Sequence, residues 1–411
     1  MRVDGERLRE DFDALAAIGA TPAGGVERPS LGDAHLAARA WFLARAEAAG
    51  LETSVDAAGN HSALLRRNGP TLLLGSHLDS VPNGGRFDGA LGVVAALHVL
   101  LTVQAAGLEL PLTLEAIDFT DEEGTLVGLL GSEALAGVLA AESLEAPRGG
   151  RAALAAGLAR AGLREDRLAD ARRDPASLAA YLELHIEQGP VLECAGAQIG
   201  VVTGIVGARS YSLHFRGAAA HAGTTPMDAR QDAGLAAASF AVAAEELVVR
   251  NFPGCVATVG DVRLEPGAYN VVPGSAHLAL EFRALETPEL DVLETALLDR
   301  ARNEAARRGV ELGITPVGRW EPTTLDAGLG AVIERVAGGL GLASMRLPSG
   351  AGHDAQVLAG ITRAGMIFVP SVGGLSHAPG ELTAWEDCVN GANVLLAAAL
   401  AIALPRVASA A

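Results

Sequence analysis

The feature that most constrains this chain is a recurring pair, a short apolar run that stops abruptly at a cluster of His, Asp and Glu. Thr71-Leu-Leu-Leu-Gly75 runs into Ser76-His77-Leu78-Asp79, and Leu112 to Phe119 runs into Thr120-Asp121-Glu122-Glu123. Tyr181 to Ile186 contains His185 and leads into Glu187-Gln188-Gly189-Pro190, while Met366 to Val369 precedes Ser376-His377-Ala378-Pro379-Gly380-Glu381. A helical stretch at Ser30–Gly50 precedes these runs, and another at Gly89–Ala106 lies between the first two. Strands alternating with helices predict a mostly parallel sheet covered on both faces, an α/β fold. In such sheets the carboxyl ends of the strands form the ligand crevice. Four polar clusters at four strand ends therefore point to one shared site.

Residues 208–320 follow a different pattern. Ser210–Phe215 alternates like a half-buried strand, and Asp228–Val249 reads as a helix. Strands at Cys255–Arg263 and Ala276–Arg283, a helix at Pro288–Arg308 and a strand at Val310–Pro316 complete a β-α-β-β-α-β order. The expectation is a smaller, ferredoxin-like α+β domain at 208–320 inserted into an α/β domain formed by 1–207 and 321–411. Gly204–Gly207 and Gly318–Pro322 are the expected hinges.

Composition removes several function classes. All 31 basic residues are Arg, so Schiff-base and pyridoxal-phosphate lysines and the P-loop lysine are excluded. A formal charge of −18 disfavours contact with a phosphate backbone, so no nucleic-acid partner is expected. Cys194, Cys255 and Cys388 lie far apart and suit a reducing, cytoplasmic compartment. The charged N-terminus has no apolar secretory core. The uncharged runs Gly89–Leu108 and Cys388–Pro405 contain polar residues and read as buried Ala-rich helices, so no membrane partner is expected.

Imidazole and carboxylate delivered together suit zinc or another first-row divalent ion. Five candidate ligands around a central carboxylate exceed the needs of one catalytic zinc, so two ions are expected. A single His after a strand is ordinarily structural, and an acidic triplet is ordinarily a solvated turn. The agreement of four independent strand ends is what carries the reading. His35, His61, His98, His214 and His277 lack that setting and read as structural.

Together the segments Gly-Ser-His77-Leu-Asp79, Gly-Gly-Arg-Phe-Asp88-Gly, Asp-Glu122-Glu123-Gly, His185-Ile-Glu-Gln188-Gly-Pro, Ala-His221-Ala-Gly-Thr-Thr-Pro-Met and Ser-His377-Ala-Pro-Gly-Glu381 carry a resemblance. They are similar to the metal-dependent amidohydrolases of the M20 peptidase family over about Gly24–Thr383. The nearest branch holds N-carbamoyl-L-amino acid hydrolases, β-ureidopropionases and allantoate amidohydrolases. His185-Ile-Glu-Gln-Gly-Pro points to that branch, since other members usually place a carboxylate at the position of His185.

The resemblance implies that Asp88 bridges two divalent ions, zinc first, with manganese, cobalt or nickel as alternatives. His77 and His185 would complete one site, and Glu123 and His377 the other. Asp79 would orient the His77 ring and Glu122 would act as general base. His221 would stabilise the oxyanion in a partner subunit's site, making the inserted domain a lid and dimerisation domain. Gln188, Asn270 and Arg283 would hold a substrate carboxylate, and His353 matches a loop near the site. The implied activity is hydrolysis of a linear amide or ureido C–N bond in a small carboxylate. N-carbamoyl-L-amino acids lead, then allantoate or a related ureido acid, then N-acyl amino acids or dipeptides. One departure is visible: after Glu123-Gly124 the chain lacks the branch's Arg-Phe pair and runs about two residues short into Gly131-Ser132. That loop is the one feature favouring a rival reading, a non-catalytic small-molecule binding protein on the same fold.

Overall fold

The computed structural model describes residues 1–404; the end of the Cys388–Pro405 run, at Pro405, and the end of the expected 321–411 segment lie outside them. The chain divides into two compact units, Met1–Thr203 with Thr324–Ala411, and Gly204–Thr323. The second begins and ends a few residues outside the expected 208–320.

The first unit is built on a nine-stranded sheet. Its strands are β1 Glu52–Val55, β2 His61–Leu65, β3 Thr71–His77, β4 Thr113–Phe119, β5 Leu178–Ile186 and β6 Ile199–Ile205. The second unit intervenes with β7 Gly207–Arg216, β8 Ala220–His221, β9 Val256–Glu265, β10 Val271–Val272, β11 Ser275–Ala284 and β12 Glu311–Trp320. After it come β13 Thr323–Thr324, β14 Ser344–Ser349 and β15 Ala364–Val369. The strand order is β1-β2-β4-β3-β5-β15-β6-β13, with β14 also paired to β6.

The centre, β4-β3-β5-β15, is parallel throughout, and it consists of the four apolar runs that end in polar clusters. β1, β2 and β6 pair antiparallel at the flanks. Parallel pairing brings all four carboxyl ends to one edge of the sheet.

One face of this centre, with Leu72, Leu74, Leu114, Ala116, Leu182 and Leu184, belongs to a continuous apolar core with Leu91, Val94, Leu97, Leu395 and Ala398. The helix Ala90–Ala105 is buried along most of its length, which explains its lack of an amphipathic period. Helix Trp385–Ala403 is long and apolar enough to cross a membrane, but more than half of that window is buried. Arg39 and Asp118 form an ion pair of 2.7 Å with both side chains buried, and the Arg39 guanidinium also donates to the Phe119 carbonyl and the Thr120 hydroxyl.

The second unit is an antiparallel sheet in the order β12-β7-β11-β9 with helices Ala233–Asn251 and Thr287–Arg307, giving the β-α-β-β-α-β order. Asp232 caps the first helix by accepting the Leu235 N–H at 2.9 Å. Leu213, Phe215, Phe240, Phe282, Leu293 and Leu297 form its core. The alternate strand residues leave the opposite face, and β9 is mostly exposed. The short β8–β10 ladder was not expected from sequence; two-residue strands carry no periodic signal.

Candidate metal centre

The site grows from the ends of the parallel strands. His77 is the last residue of β3, and its Nδ1 lies 3.1 Å from the Asp79 carbonyl. A carbonyl only accepts, so Nδ1 carries a proton and Nε2 is the atom turned towards Asp88, 3.5 Å from Oδ1, where its lone pair becomes available to a cation once Nε2 is deprotonated. His185, near the end of β5, repeats the arrangement: Nδ1 donates to the Ile186 carbonyl at 2.9 Å and Nε2 lies 3.1 Å from Asp88 Oδ1. His377, held at φ 55°, places Nε2 3.3 Å from the other Asp88 oxygen and 3.6 Å from Glu123 Oε2. Each Asp88 oxygen thus faces its own set of donors.

The loop that carries Asp88 is fixed from two sides. Gly89 lies against the His77 ring at φ 63°, where a Cβ would come within 2.4 Å of the imidazole, so only glycine permits the approach. Glu381 accepts the Phe87 and Asp88 N–H groups at 2.9 and 3.1 Å.

Two groups of metal-binding atoms result, His77–Asp88–His185 and Asp88–Glu123–His377, the atoms of each lying within 4.8 Å of one another. The shared aspartate, the tethered Nδ1 atoms and the mixed donor set fit divalent metal ions. A third group, Glu183–His185–His353, is equally close together. There, however, both Glu183 oxygens accept hydrogen bonds and His185 Nδ1 is a donor, which describes a support rather than a coordination site.

Electrostatics reinforce the pattern. Burial works against the Asp88 charge, yet hydrogen bonds from His185, His377 and His77 hold its carboxyl well below the usual carboxylate range. Hydrogen bonding to Asp88 pushes His377 up to about 9. Burial raises Glu122 well above its ordinary value; His77 opposes the shift, while Glu123, Asp354 and Asp88 add to it. Cation binding would replace that carboxylate repulsion with attraction. Glu122 Oε2 sits 3.5 Å from His77 Nε2 with its side chain largely buried.

The other residues singled out from sequence fall in two places. Asp79 contacts His77 mainly through its main-chain oxygen; its carboxylate is 3.7 Å from Nδ1 and accepts the Glu123 N–H at 3.3 Å. Burial pushes that carboxyl up to about 8. Gln188, at φ 60°, donates from Nε2 to Asp88 at 2.8 Å. His353 packs edge-on against His185, with ring centroids 4.6 Å apart, and burial keeps it neutral. His221, Asn270 and Arg283 belong to the second unit. There the Asn270 carbonyl accepts the Ala222 N–H at 2.9 Å, which holds it beside His221. Arg283 donates to Glu281 at 2.7 Å.

The short loop after Glu123 closes on Asp121, whose carboxylate accepts N–H groups from Leu126, Val127 and Gly128 and lies within reach of the Thr125 hydroxyl. The five remaining histidines take part in none of the metal-binding groups. His35 accepts the Leu31 N–H, His61 binds the Gly59 carbonyl, His98 pairs with Asp11, and His214 stacks on His277.

Residues 73–401 match the family described as Peptidase family M20/M25/M40. The chain belongs to the M20 family. An N-carbamoyl-L-amino acid amidohydrolase from Geobacillus stearothermophilus is 40% identical, covering 96% of this chain and 97% of that one. A ureidoglycolate hydrolase from Arabidopsis thaliana is 35% identical, covering 96% and 86% respectively. Among solved structures, a hydantoinase/carbamoylase family amidase from Burkholderia multivorans superposes with a TM-score of 0.90 at 35% identity over 98% of each chain.

In this M20 chain, sequence reasoning passed over residues that hold the centre together. Glu381 was visible inside the His377 segment but has no metal-ligand spacing of its own. Glu183 carried a clearer signal: a charged residue within the apolar run Tyr181–Ile186, at a position a fully buried strand rarely concedes to an unpaired acid.

Proposed function

We propose that this chain is a metal-dependent amidohydrolase cleaving the ureido C–N bond of N-carbamoyl-L-amino acids. Its products would be the amino acid, ammonia and carbon dioxide. The observation that carries the reading is the placement of Glu122, a buried carboxylate next in sequence to Glu123 and 3.5 Å from His77 Nε2, beside two metal-binding groups that share Asp88. Two divalent ions, zinc first, would be held by His77, Asp88 and His185 and by Asp88, Glu123 and His377; when bound they polarise the substrate carbonyl and acidify water. Glu122 accepts the proton of the attacking water and returns it to the leaving nitrogen. The tethered Nδ1 atoms of His77 and His185 keep both rings from turning away, and Asp79 assists at His77.

His221 is assigned to the oxyanion of a partner chain, in a homodimer working in the cytoplasm. Gln188, Asn270 and Arg283 are assigned to the substrate carboxylate, with the Arg283 fork as its main partner, and His353 to the substrate site. The three free cysteines among the described residues agree with a reducing compartment. A second reading, hydrolysis of allantoate or another ureido acid, draws support from the relative named as a ureidoglycolate hydrolase.

The test is ammonia release from N-carbamoyl-L-amino acids, allantoate and ureidoglycolate, before and after chelation and metal add-back. The expected outcome is fastest turnover on a carbamoyl amino acid, lost on chelation and restored by the ion. Faster turnover of allantoate or ureidoglycolate favours the second reading, and full activity of the stripped protein overturns the mechanism.

A further inference from the structure

Glu183 is fully buried and leaves β5 one alternation before His185, on the same face of the strand. Its two oxygens reach three different segments. Oε1 accepts the Ser76 hydroxyl at 2.8 Å, and Ser76 immediately precedes His77. Oε2 accepts the Ala355 N–H at 3.2 Å, and Ala355 stands two residues after His353. The Tyr181 hydroxyl, 3.0 Å from Oε2 and 3.2 Å from the Gly75 carbonyl on β3, has one proton to share between the two acceptors. None of these atoms belongs to the described Asp88-centred groups. One carboxylate therefore spans the segments that carry His77, His185 and His353.

We propose that Glu183 is a positioning residue that sets the spacing of His77, His185 and His353 by bonding their three backbone segments to one carboxylate. A carboxylate is suited to this because it only accepts, and every neighbour named here donates. Glutamine keeps the volume but removes the charge and turns one acceptor into a donor: with its nitrogen towards Ala355 the N–H contact is lost, and with its nitrogen towards Ser76 that hydroxyl must reverse and accept. The consequence differs from simple loss of stability: the His77 and His185 Nε2 atoms converge less well on an ion shared with Asp88, and the His353 wall shifts with them. Outer partners of metal ligands change metal affinity or activity by about 10–100-fold when lost. The proposal rests on the reading of His77 and His185 as metal ligands.

The test compares the full-length wild type with Glu183→Gln, and with Ser76→Ala and Tyr181→Phe, which each remove one donor and leave the carboxylate in place. Zinc affinity is measured by competition with a chromophoric chelator, thermal midpoint in parallel, and kcat and KM on the best carbamoyl substrate. The expected result for Glu183→Gln is zinc affinity weakened by about 10–100-fold together with a fall in kcat, with smaller losses in the two single-donor variants. If Glu183→Gln does not fold, weakened zinc affinity in folded Ser76→Ala and Tyr181→Phe still supports the proposal. Unchanged zinc affinity and kcat in the folded variants, with only a lower thermal midpoint, would overturn it. A wild type that binds no divalent ion overturns the functional reading and this proposal with it, whereas a wild type that binds normally beside unaffected variants overturns this proposal alone.

Discussion

The two units use their sheets differently. In the first, the parallel strands β3, β4, β5 and β15 are buried on both sides, and charged residues are buried with them: Glu115, Asp118, Glu183 and His185 all lie within strands. In the second, the antiparallel strands bury one face, and the few buried ion-pairing charges have solvent-exposed partners. Arg209 is buried there, but its partner Asp291 is more than half exposed. The second unit's core is mostly apolar, and its buried Arg209 and Glu304 reach partners that are themselves open to water. The first carries buried charges whose hydrogen-bonding partners must all be present, which is the condition for a preorganised site and also for sensitivity to substitution.

Glu122→Gln gives the sharpest test of that contrast, because it alters a buried charge of the first unit without touching a ligand. Turnover should fall by about 10²–10⁴-fold with metal content unchanged, read by ammonia release and metal analysis. Asp118→Ala leaves the buried Arg39 guanidinium without its carboxylate and should destabilise the first unit by about 3–5 kcal/mol in urea unfolding. Asp261→Ala, on exposed β9, should stay within about 0.5 kcal/mol of wild type.

Close backbone approach separates the units in the same way. At Gly75 a Cβ would lie 2.0 Å from the Ile117 carbonyl of the neighbouring strand, so Gly75→Ala must push β3 and β4 apart. A loss of about 3 kcal/mol is expected, at the upper end of overpacking costs. At Gly260 in β9 a Cβ meets nothing within 4 Å, so Gly260→Ala should be neutral or stabilising by up to about 1 kcal/mol. Equal effects at the two glycines would break the comparison.

The acid response should also differ. Burial lowers His61 to about 3, so between that value and its unfolded value of 6.5 the unfolded chain binds a proton that the folded chain does not. Its contribution to stability is full above pH 6.5 and is lost as pH falls towards about 3. Over that range the stability difference between His61→Gln and wild type should move in favour of the variant. His214 in the second unit is shifted in the same direction but is mostly solvated, so His214→Gln should show a smaller trend.

These contrasts also explain what could be read from the residues alone. The four central strands were legible because burial on both faces leaves short, largely apolar runs, and their ends were legible because His, Asp and Glu stand at or soon after them. β1, β2 and β14 were not: they are short flanking strands with mixed burial and little period of their own. Within the site, the metal-binding groups stood out by residue type. The supports did not, because Glu381 and Asp121 act by accepting backbone N–H groups from segments that only the fold brings to them. The Asp79 carboxylate was expected to orient His77, yet the main-chain oxygen makes the shorter contact, a distinction no side-chain pattern can encode.

The central claim is that Asp88 is shared by two metal-binding groups, one completed by His77 and His185 and the other by Glu123 and His377. Its most direct test is the number of zinc ions bound per chain at equilibrium dialysis, for wild type, His377→Ala and Asp88→Asn. The account predicts two ions for wild type, one for His377→Ala and weakened binding of both for Asp88→Asn. A single ion in wild type, kept in full by His377→Ala, would contradict it.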